Sequence, residues 1–249
     1  MELRIVNKPR KWSFTDYFDV DGMQREHDNL VKVLQNEGVR VHYLRKSTNT
    51  KPKLYILRDN AIILDKKAVT CHFIHSMRRG EEQLVKQRLK ELGIKIVGHI
   101  YVPGFLQGSD VFFVNKNHAF ARLGYETNKD GIKHLEEILK LDVTPLGTDN
   151  VPNTRFNVLN DVVIMSEELT DKPIYNAFKE EEFDIVLASR RQADDMALNF
   201  LQIDDYKIVN VTSDINKKLK MIGFDVIEVD IRELAKGGCG VRNMCLPLH

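Results

Sequence analysis

The sequence predicts an α/β fold built from a repeated strand–turn–strand–helix–strand unit. Three observations support this prediction. Short apolar segments that begin near Gly or Asp recur roughly 40 to 55 residues apart, a period typical of repeated supersecondary units. A helical pattern precedes each of these segments, and polar turns divide the apolar stretches that lie between the helices.

The recurring apolar segments are the strands that end each unit. They are GVRVHYL from Gly38, GIKIVGHIYV from Gly93, LDVTPL from Leu141, FDIVLAS from Phe183 and FDVIEVDI from Phe224. The preceding helices are REHDNLVKVLQNE, GEEQLVKQRLKEL, DGIKHLEEILKL, PIYNAFKEEE and DINKKLKMI. In the second of these helices, Leu84, Val85, Leu89 and Leu92 form a one-sided apolar stripe, which is typical of a helix packed on a sheet.

Hairpins are predicted before the middle helices, because polar residues interrupt otherwise apolar stretches. The turns fall at Asp65-Lys66-Lys67, Asn115-Lys116-Asn117 and Asn160-Asp161. Asn and Asp tolerate the left-handed backbone conformation that tight hairpin turns require.

The fifth unit is divided between the two ends of the chain. Its helix and one strand lie near the N-terminus, and its last strand is predicted in the glycine-rich tail KGGCGVRNMCLPLH. A circular array closed by both chain ends accounts for this, because closure removes exposed sheet edges. No linker divides the chain, so we predict one domain over residues 1–249. The alternative is an open α/β sheet in which the repeat is coincidental.

The composition argues against nucleic-acid binding and against a membrane-spanning segment. The 249 residues carry 37 basic and 36 acidic side chains, and this net charge of +1 gives no footprint for nucleic acid. No apolar run is long enough to span a membrane, and the N-terminus lacks the apolar core of a signal peptide. Three widely spaced cysteines indicate a reducing compartment. We therefore expect a cytoplasmic protein, and no motif calls for a cofactor.

Several motifs, in their order and spacing, resemble the guanidino-group-modifying superfamily of arginine deiminases, dimethylarginine dimethylaminohydrolases and glycine amidinotransferases. They are LYILRDNAIILDKKAV, RRGEEQLVKQRLKELGI, PGFLQGSDVFFVNKNHAFARLGYETNKDGIKHL, MALNFLQI and KGGCGVRNMCLPL. The resemblance implies a five-bladed α/β propeller, the pentein fold, with pseudo-fivefold symmetry and a central active site. It also implies chemistry through a covalent cysteine intermediate.

Two of the family's site elements are wholly or partly present. The Arg–Asp step appears as Arg58-Asp59, so Asp59 is expected to bind a cationic group. The Glu-Gly-Gly-Asp element resembles Gln107-Gly108-Ser109-Asp110. Asp110 is kept there as a substrate-binding candidate, but Gln107 replaces the family's acidic residue.

Other catalytic positions are replaced by residues that cannot do the chemistry. The His-Leu-Asp element aligns with Val151-Pro152-Asn153, and Asn243 occupies the position of the family nucleophile. The Arg-Thr-Asn segment that helps hold a substrate carboxylate appears as Glu126-Thr127-Asn128, with reversed charge. A carboxamide has no ionisable proton near neutral pH, so Gln107 and Asn153 cannot act as acid or base, and we predict them as substrate-binding residues instead. A shift of the alignment makes Asp149 the acid, but no histidine lies nearby.

Two functions follow from this pattern. The first is a catalytically degenerate relative that acts by binding a guanidino or amino-acid ligand, or as a subunit of a homo-oligomer or of an active paralogue. The second is a divergent amidinohydrolase or amidinotransferase with a relocated nucleophile, Cys245 or less favourably Cys239. In a strand, Cys245 would face the same side as Asn243. The shift of about 6–7 Å along the strand weighs against catalysis.

Two further groups of residues are predicted to have structural roles and no role in a functional site. Cys71, His72 and His75 suggest a metal site, but the two histidines are not spaced to share one strand face, so we predict no metal. Arg78-Arg79 and Arg190-Arg191 precede acidic residues, and we predict that both pairs form solvated helix starts.

Overall fold

Four small sheets with one shared topology form most of the fold. The computed structural model describes residues 8–44, 51–147 and 151–248. Within these ranges the sheets have the strand orders β1-β2-β3, β4-β5-β6, β7-β8-β9 and β10-β11-β12. The strands are β1 (Ala61–Leu64), β2 (Lys67–Thr70), β3 (Lys95–His99), β4 (Val111–Phe113), β5 (His118–Leu123), β6 (Asp142–Gly147), β7 (Phe156–Leu159), β8 (Val162–Ser166), β9 (Asp184–Ala188), β10 (Leu201–Asp204), β11 (Lys207–Val211) and β12 (Asp225–Val229).

Each sheet repeats the predicted unit. Its first two strands pair antiparallel as a hairpin, and its third strand pairs parallel with the second. A parallel pair needs a crossover connection, and a helix supplies it in every case. The turn between β1 and β2 has φ of 48° at Asp65 and 60° at Lys66, as expected for a tight hairpin. Because the sheets are separate, the alternative of one open sheet is wrong.

The predicted helices are confirmed, and three shorter helices lie among them. The helices are α1 (Val20–Asn36), α2 (Glu81–Glu91), α3 (Lys129–Leu139), α4 (Pro173–Glu180), α5 (Arg190–Asp194), α6 (Ile215–Met221), α7 (Arg232–Ala235) and α8 (Val241–Met244). Their buried faces pack on the sheets, as Val85 and Leu89 do in α2 and Ile132 and Leu135 do in α3. No helix in the described ranges has the length and apolar character needed to cross a membrane.

The two ends of the chain meet as predicted, but through helices. The Glu26 carboxylate of α1 accepts hydrogen bonds of 2.9 Å each from the backbone N–H groups of Glu233 and Leu234 at the start of α7. These are N–H groups that a helix start leaves without intrahelical partners. Glu233 in turn accepts a 2.7 Å bond from the backbone N–H of Asp19. The N-terminal helix is thereby fixed to the C-terminal segment.

Two predicted strands of the divided unit are wrong within the described residues. Residues 39–44 have no ladder partner there, and a strand requires one. The tail forms helix α8 instead of a strand. Gly240 explains this: its backbone N–H donates to Oδ1 of Asn199, and a Cβ at this position would lie 2.7 Å from that of Asn199. The tail therefore turns at Gly240 against the β10 segment and does not extend along it.

Candidate functional site

Short turns that lead into the first strand of three sheets carry three of the predicted site residues. Asp59 lies in the 3₁₀ turn Leu57–Asn60 before β1, Asp110 in Gly108–Asp110 before β4, and Asn153 in Asn153–Arg155 before β7. Gly108 lets the first two turns approach each other, because a Cβ there would lie against the carbonyl oxygen of Arg58. The repeat therefore brings these three side chains, which are far apart in the sequence, close together in the fold.

A central cavity of about 250 Å³ lies among these turns. Four predicted site residues line it: Asp59, Gln107, Asn153 and Asn243. Asp110 is fully buried and contacts the cavity through Asn153, which donates a 2.7 Å hydrogen bond to its Oδ1.

Asp59 holds a guanidinium group that belongs to the protein itself. Arg78 Nη1 donates a 2.5 Å bond to Oδ2 of Asp59, and its Nε and Nη2 donate to Glu81 Oε2 at 3.0 and 2.8 Å. The Ser109 hydroxyl donates to the other oxygen of Asp59. Although burial opposes it, Asp59 and Glu81 raise the pKa of Arg78. The prediction of a solvated Arg78 is wrong, whereas Arg190 and Arg191 are exposed as predicted.

Asp110 is held in a similar way by Arg122. Nε and Nη2 of Arg122 donate to the two carboxylate oxygens of Asp110 at 2.7 and 3.1 Å, and Nη2 also donates to Glu126 at 2.9 Å. The Thr127 hydroxyl donates to Asp110 as well. Although burial opposes it, the two carboxylates raise the pKa of Arg122. Both acidic site residues are thus neutralised by internal arginines.

A chain of amide side chains crosses the centre of the site. Asn153 Nδ2 donates to the Ser109 hydroxyl at 2.8 Å, and Asn243 Nδ2 donates to Asn153 Oδ1 at 3.3 Å. Asn199 Nδ2 donates to Asn243 Oδ1 at 3.1 Å, and Arg242 Nη1 donates to the same oxygen at 3.4 Å. Asn153 and Asn243, which the resemblance predicts at the positions of the family's acid and nucleophile, are therefore joined through neutral amides.

The two candidate nucleophiles occupy different environments. Cys239 lines the central cavity, whereas Cys245 is not among the residues that line it. Burial raises the pKa of each thiol to about 12, with Lys53 opposing the shift at Cys239 and Arg58 opposing it at Cys245. Because the thiolate is the reactive form, neither thiol is activated at neutral pH. The geometric premise for Cys245, a strand shared with Asn243, does not hold because Asn243 lies in helix α8.

Lys53 lies beside Cys239 at the cavity wall. Its side chain is 6% exposed, and its amine donates to the carbonyl oxygens of Ser13, at 2.7 Å, and of Gly237. The amine also lies 4.5 Å above the Phe14 ring. Burial lowers the pKa of Lys53 to about 8, although the Cys239 thiol opposes this shift.

Among the predicted site residues, Gln107 has a side-chain carboxamide that is available to a ligand. Its backbone N–H donates to the Thr127 hydroxyl at 3.1 Å, but its carboxamide has no hydrogen-bond partner among the described residues. Glu126 and His75 also line the cavity, with 4.0 Å between His75 Nε2 and Glu126 Oε1. The cavity therefore offers one free amide, a partly exposed carboxylate and an imidazole to a ligand.

The histidines of the apparent metal motif are separated in space. His72 stacks on Phe105, and His75 packs near Tyr125. In the part of the chain that the structure describes, no group of three or more His, Cys, Asp or Glu side chains is placed to hold a metal ion. Asp149, the acid of the shifted alignment, lies outside the described residues.

The polar residues of this site that sequence reasoning missed include Arg78, Arg122 and Asn199. The repeat itself contains a signal for Asn199, because it lies two residues before β10, as Asp59 lies two residues before β1. For the two arginines no local signal exists. Each is identified only by the buried carboxylates that it contacts.

Comparison with known proteins identifies relatives over nearly the whole chain. The family model for N,N dimethylarginine dimethylhydrolase, eukaryotic, matches residues 21–249. The uncharacterized protein YkgA of Bacillus subtilis is 22% identical, with 98% of this chain and 86% of that protein covered. An uncharacterized protein of Aeropyrum pernix is 26% identical, with 93% of this chain and 86% of that protein covered.

Solved structures show the same architecture. A cysteine-to-serine variant of dimethylarginine dimethylaminohydrolase from Pseudomonas aeruginosa, complexed with citrulline, matches with a TM-score of 0.80 at 21% identity over 93% of this chain and 90% of that chain. The N-terminal domain of ArgZ, a cyanobacterial arginine dihydrolase bound to product, matches with a TM-score of 0.82 at 18% identity over 93% and 88%. At these identities the matches show the fold, and they confirm the predicted α/β propeller of the pentein type.

Proposed function

The chain belongs to the eukaryotic N,N dimethylarginine dimethylhydrolase family, and we propose that it is a catalytically degenerate member that binds a small amino-acid ligand without hydrolysing it. The observation that carries the proposal is the amide chain from Asn153 through Asn243 to Asn199. A carboxamide can neither attack a guanidinium carbon nor move a proton near neutral pH.

The ligand is expected to end in a neutral amide-like group. Among the described lining residues, Asp59 is already paired with Arg78, and the partly exposed carboxylate of Glu126 is paired with Arg122, so neither is left unpaired for a guanidinium. The Gln107 carboxamide offers both a donor and an acceptor, which suits the ureido group of citrulline better than a cation. The citrulline complex of the Pseudomonas relative supports a ligand of this class.

Titration calorimetry with citrulline, arginine, dimethylarginine and agmatine tests the proposal, together with a colorimetric assay for the ureido products that hydrolysis of the last three would form. We expect citrulline to bind most tightly and none of the others to be converted. Gln107→Ala should weaken citrulline binding about tenfold, the usual effect of losing one or two hydrogen bonds. Gln87→Ala, a change on the exposed face of α2, is the matched control. Binding unaffected by Gln107→Ala contradicts the proposed ligand group.

A divergent amidinohydrolase or amidinotransferase is the second candidate, and Cys239 is the observation that favours it, because its side chain lines the cavity. Turnover in the colorimetric assay would replace the binding proposal by this one. Cys239→Ser and Cys245→Ser then separate the two thiols: the variant that abolishes turnover and the covalent adduct seen by intact mass identifies the nucleophile.

The proposal also covers the domain organisation, the compartment and the association state of the protein. We propose that residues 1–249 act as one domain in the cytoplasm, where the three free thiols stay reduced. Association with a second copy or with an active paralogue belongs to the same proposal. Size-exclusion chromatography with light scattering, with and without citrulline, measures that association.

A further inference from the structure

A second cavity, of about 440 Å³, lies on the other side of the turns that form the central site. The two cavities share no lining residue, and neighbouring residues are divided between them. Asp59 and Asn243 line the central cavity, whereas Arg58 and Arg242 line the second one. Its volume falls in the usual range for small-molecule sites, about 300–1,000 Å³.

Arg58 presents an uncompensated charge to this cavity. It is half-buried, and none of the described residues lies within hydrogen-bonding or ion-pairing distance of its guanidinium. Arg78 and Arg122, on the central side, each contact two carboxylates. Burial lowers the pKa of Arg58 to about 10, which still leaves it charged at neutral pH.

Arg242 is buried beside it and also lacks a counter-ion. Its guanidinium donates to the carbonyl oxygens of Ser109 at 2.7 Å and Val111 at 3.0 Å, and it lies 4.1 Å above the Phe112 ring. No described carboxylate lies within ion-pair distance. Burial lowers the pKa of Arg242 and the nearby charge of Arg58 lowers it further, whereas the more distant carboxylates of Asp110 and Asp59 oppose the shift. Two guanidinium groups thus repel each other at one cavity wall.

Such an arrangement favours an anion. A buried charge without a counter-ion is costly, and a guanidinium presents paired N–H donors that match a carboxylate or phosphate. We propose that the second cavity binds a small oxyanion, a carboxylate or a phosphate, beside Arg58 and Arg242. This site is distinct from the central cavity and does not depend on the function proposed there.

The remaining lining restricts the size and charge of the ligand. Asp204 and Asp205, at the β10–β11 turn, also line the cavity, and neither forms an ion pair with the two arginines. Their negative charges disfavour a polyanion, because like charges repel. The cavity therefore suits a compact anion that reaches the arginines without approaching these two aspartates.

Thermal unfolding of the full chain in inorganic phosphate or sodium acetate, against sodium chloride at equal ionic strength, tests the site. We expect one of the two anions to raise Tm by about 3–5 °C relative to chloride when it is near tenfold above Kd. Comparing phosphate with acetate distinguishes the two anion classes. The same rise is expected in Arg190→Gln, which removes an exposed arginine that does not line the cavity.

Arg58→Gln is expected to abolish the anion-specific rise. Because Arg58 has no partner to lose, this variant should fold, and its Tm in chloride should equal or exceed that of the parent chain. Arg58→Lys, which keeps the charge without the planar fork, should retain part of the rise. No anion-specific rise in the parent chain overturns the proposal. So does a rise that persists in Arg58→Gln, because the anion would then bind elsewhere.

Discussion

Arg78 donates a 2.5 Å hydrogen bond to the Asp59 carboxylate, so a guanidinium of the protein itself neutralises the carboxylate expected to bind a cation. Both side chains are almost fully buried, and Glu81 completes the contact on the other side of Arg78. The resemblance placed Asp59 in a ligand site. In the folded protein the negative charge of Asp59 is paired with Arg78.

Asp59→Asn should therefore lower stability. Removing one partner of a buried ion pair leaves Arg78 with less compensation, and such changes cost about 3–5 kcal/mol. We expect a loss of about 3 kcal/mol in the free energy of unfolding, measured by denaturation in urea. Asp230→Asn, which breaks an exposed pair with Arg232, should cost less than about 1 kcal/mol. Equal losses in the two variants would show that Asp59 has no structural role.

Asn153→Asp should make stability depend on pH. The new carboxylate would lose the bond that Asn153 donates to Asp110 and face that carboxylate instead, 2.7 Å from the present nitrogen. Two close carboxylates raise the pKa of one of them. A folded-state pKa above the unfolded value near 3.9 means that stability falls as pH rises through that interval. Tm measured from pH 4 to 8 should drop relative to the parent chain.

The exposed substitution Asn117→Asp is the control for that series. Asn117 lies in the turn between β4 and β5, where water solvates a new carboxylate. Its Tm should follow that of the parent chain across the same pH range. A parallel course for Asn153→Asp would mean that position 153 does not face Asp110 in solution.

Lys53→Met should remove a pH-dependent contribution to stability. The folded-state pKa of Lys53, about 8, lies below the unfolded value near 10.4. Between these values the unfolded chain binds more protons, so the contribution of Lys53 to the free energy of unfolding increases as pH rises. The free energy of unfolding of the parent chain, relative to that of the variant, should increase by up to about 3 kcal/mol from pH 7.5 to 10.5. Lys220→Met, at an exposed position in α6, should show no such trend.

Gly108→Ala should weaken the contact between the first two blades. A Cβ at Gly108 would lie against the carbonyl oxygen of Arg58 and 2.6 Å from that of Ala61, and backbone atoms cannot move aside cheaply. Overpacking of this kind costs about 1–3 kcal/mol. Gly147→Ala, where a Cβ meets no atom of the described residues within 4 Å, should be close to neutral in the same urea titration. A neutral Gly108→Ala would contradict the close approach of the two turns.

The repeat was predictable because it depends on local patterns. Hairpin turns such as Asp65-Lys66 follow from residues that tolerate left-handed backbone, and amphipathic helices such as α2 follow from apolar spacing. The divided unit was predicted less well. Whether residues near Gly38 and Gly240 form strands depends on a hydrogen-bonded neighbour, which the local sequence does not specify.

The site was predictable only in part. The family resemblance identified Asp59, Gln107, Asn153 and Asn243, and all four line one cavity. Which of two thiols lines that cavity, and which arginine lies beside which carboxylate, depends on segments far apart in the chain. Arg78 and Arg190 look alike as helix starts, yet one is buried against Asp59 and the other is exposed.

The α/β repeat and the family resemblance follow from residue types and their spacing, so both could be read from the amino-acid sequence. How the remaining charges are paired depends on contacts between segments far apart in the chain. Burial makes an ionised group depend on its immediate neighbours, and those neighbours come from different blades. Folding therefore leaves Arg78 and Arg122 compensated by carboxylates, and Arg58 and Arg242 without one among the described residues.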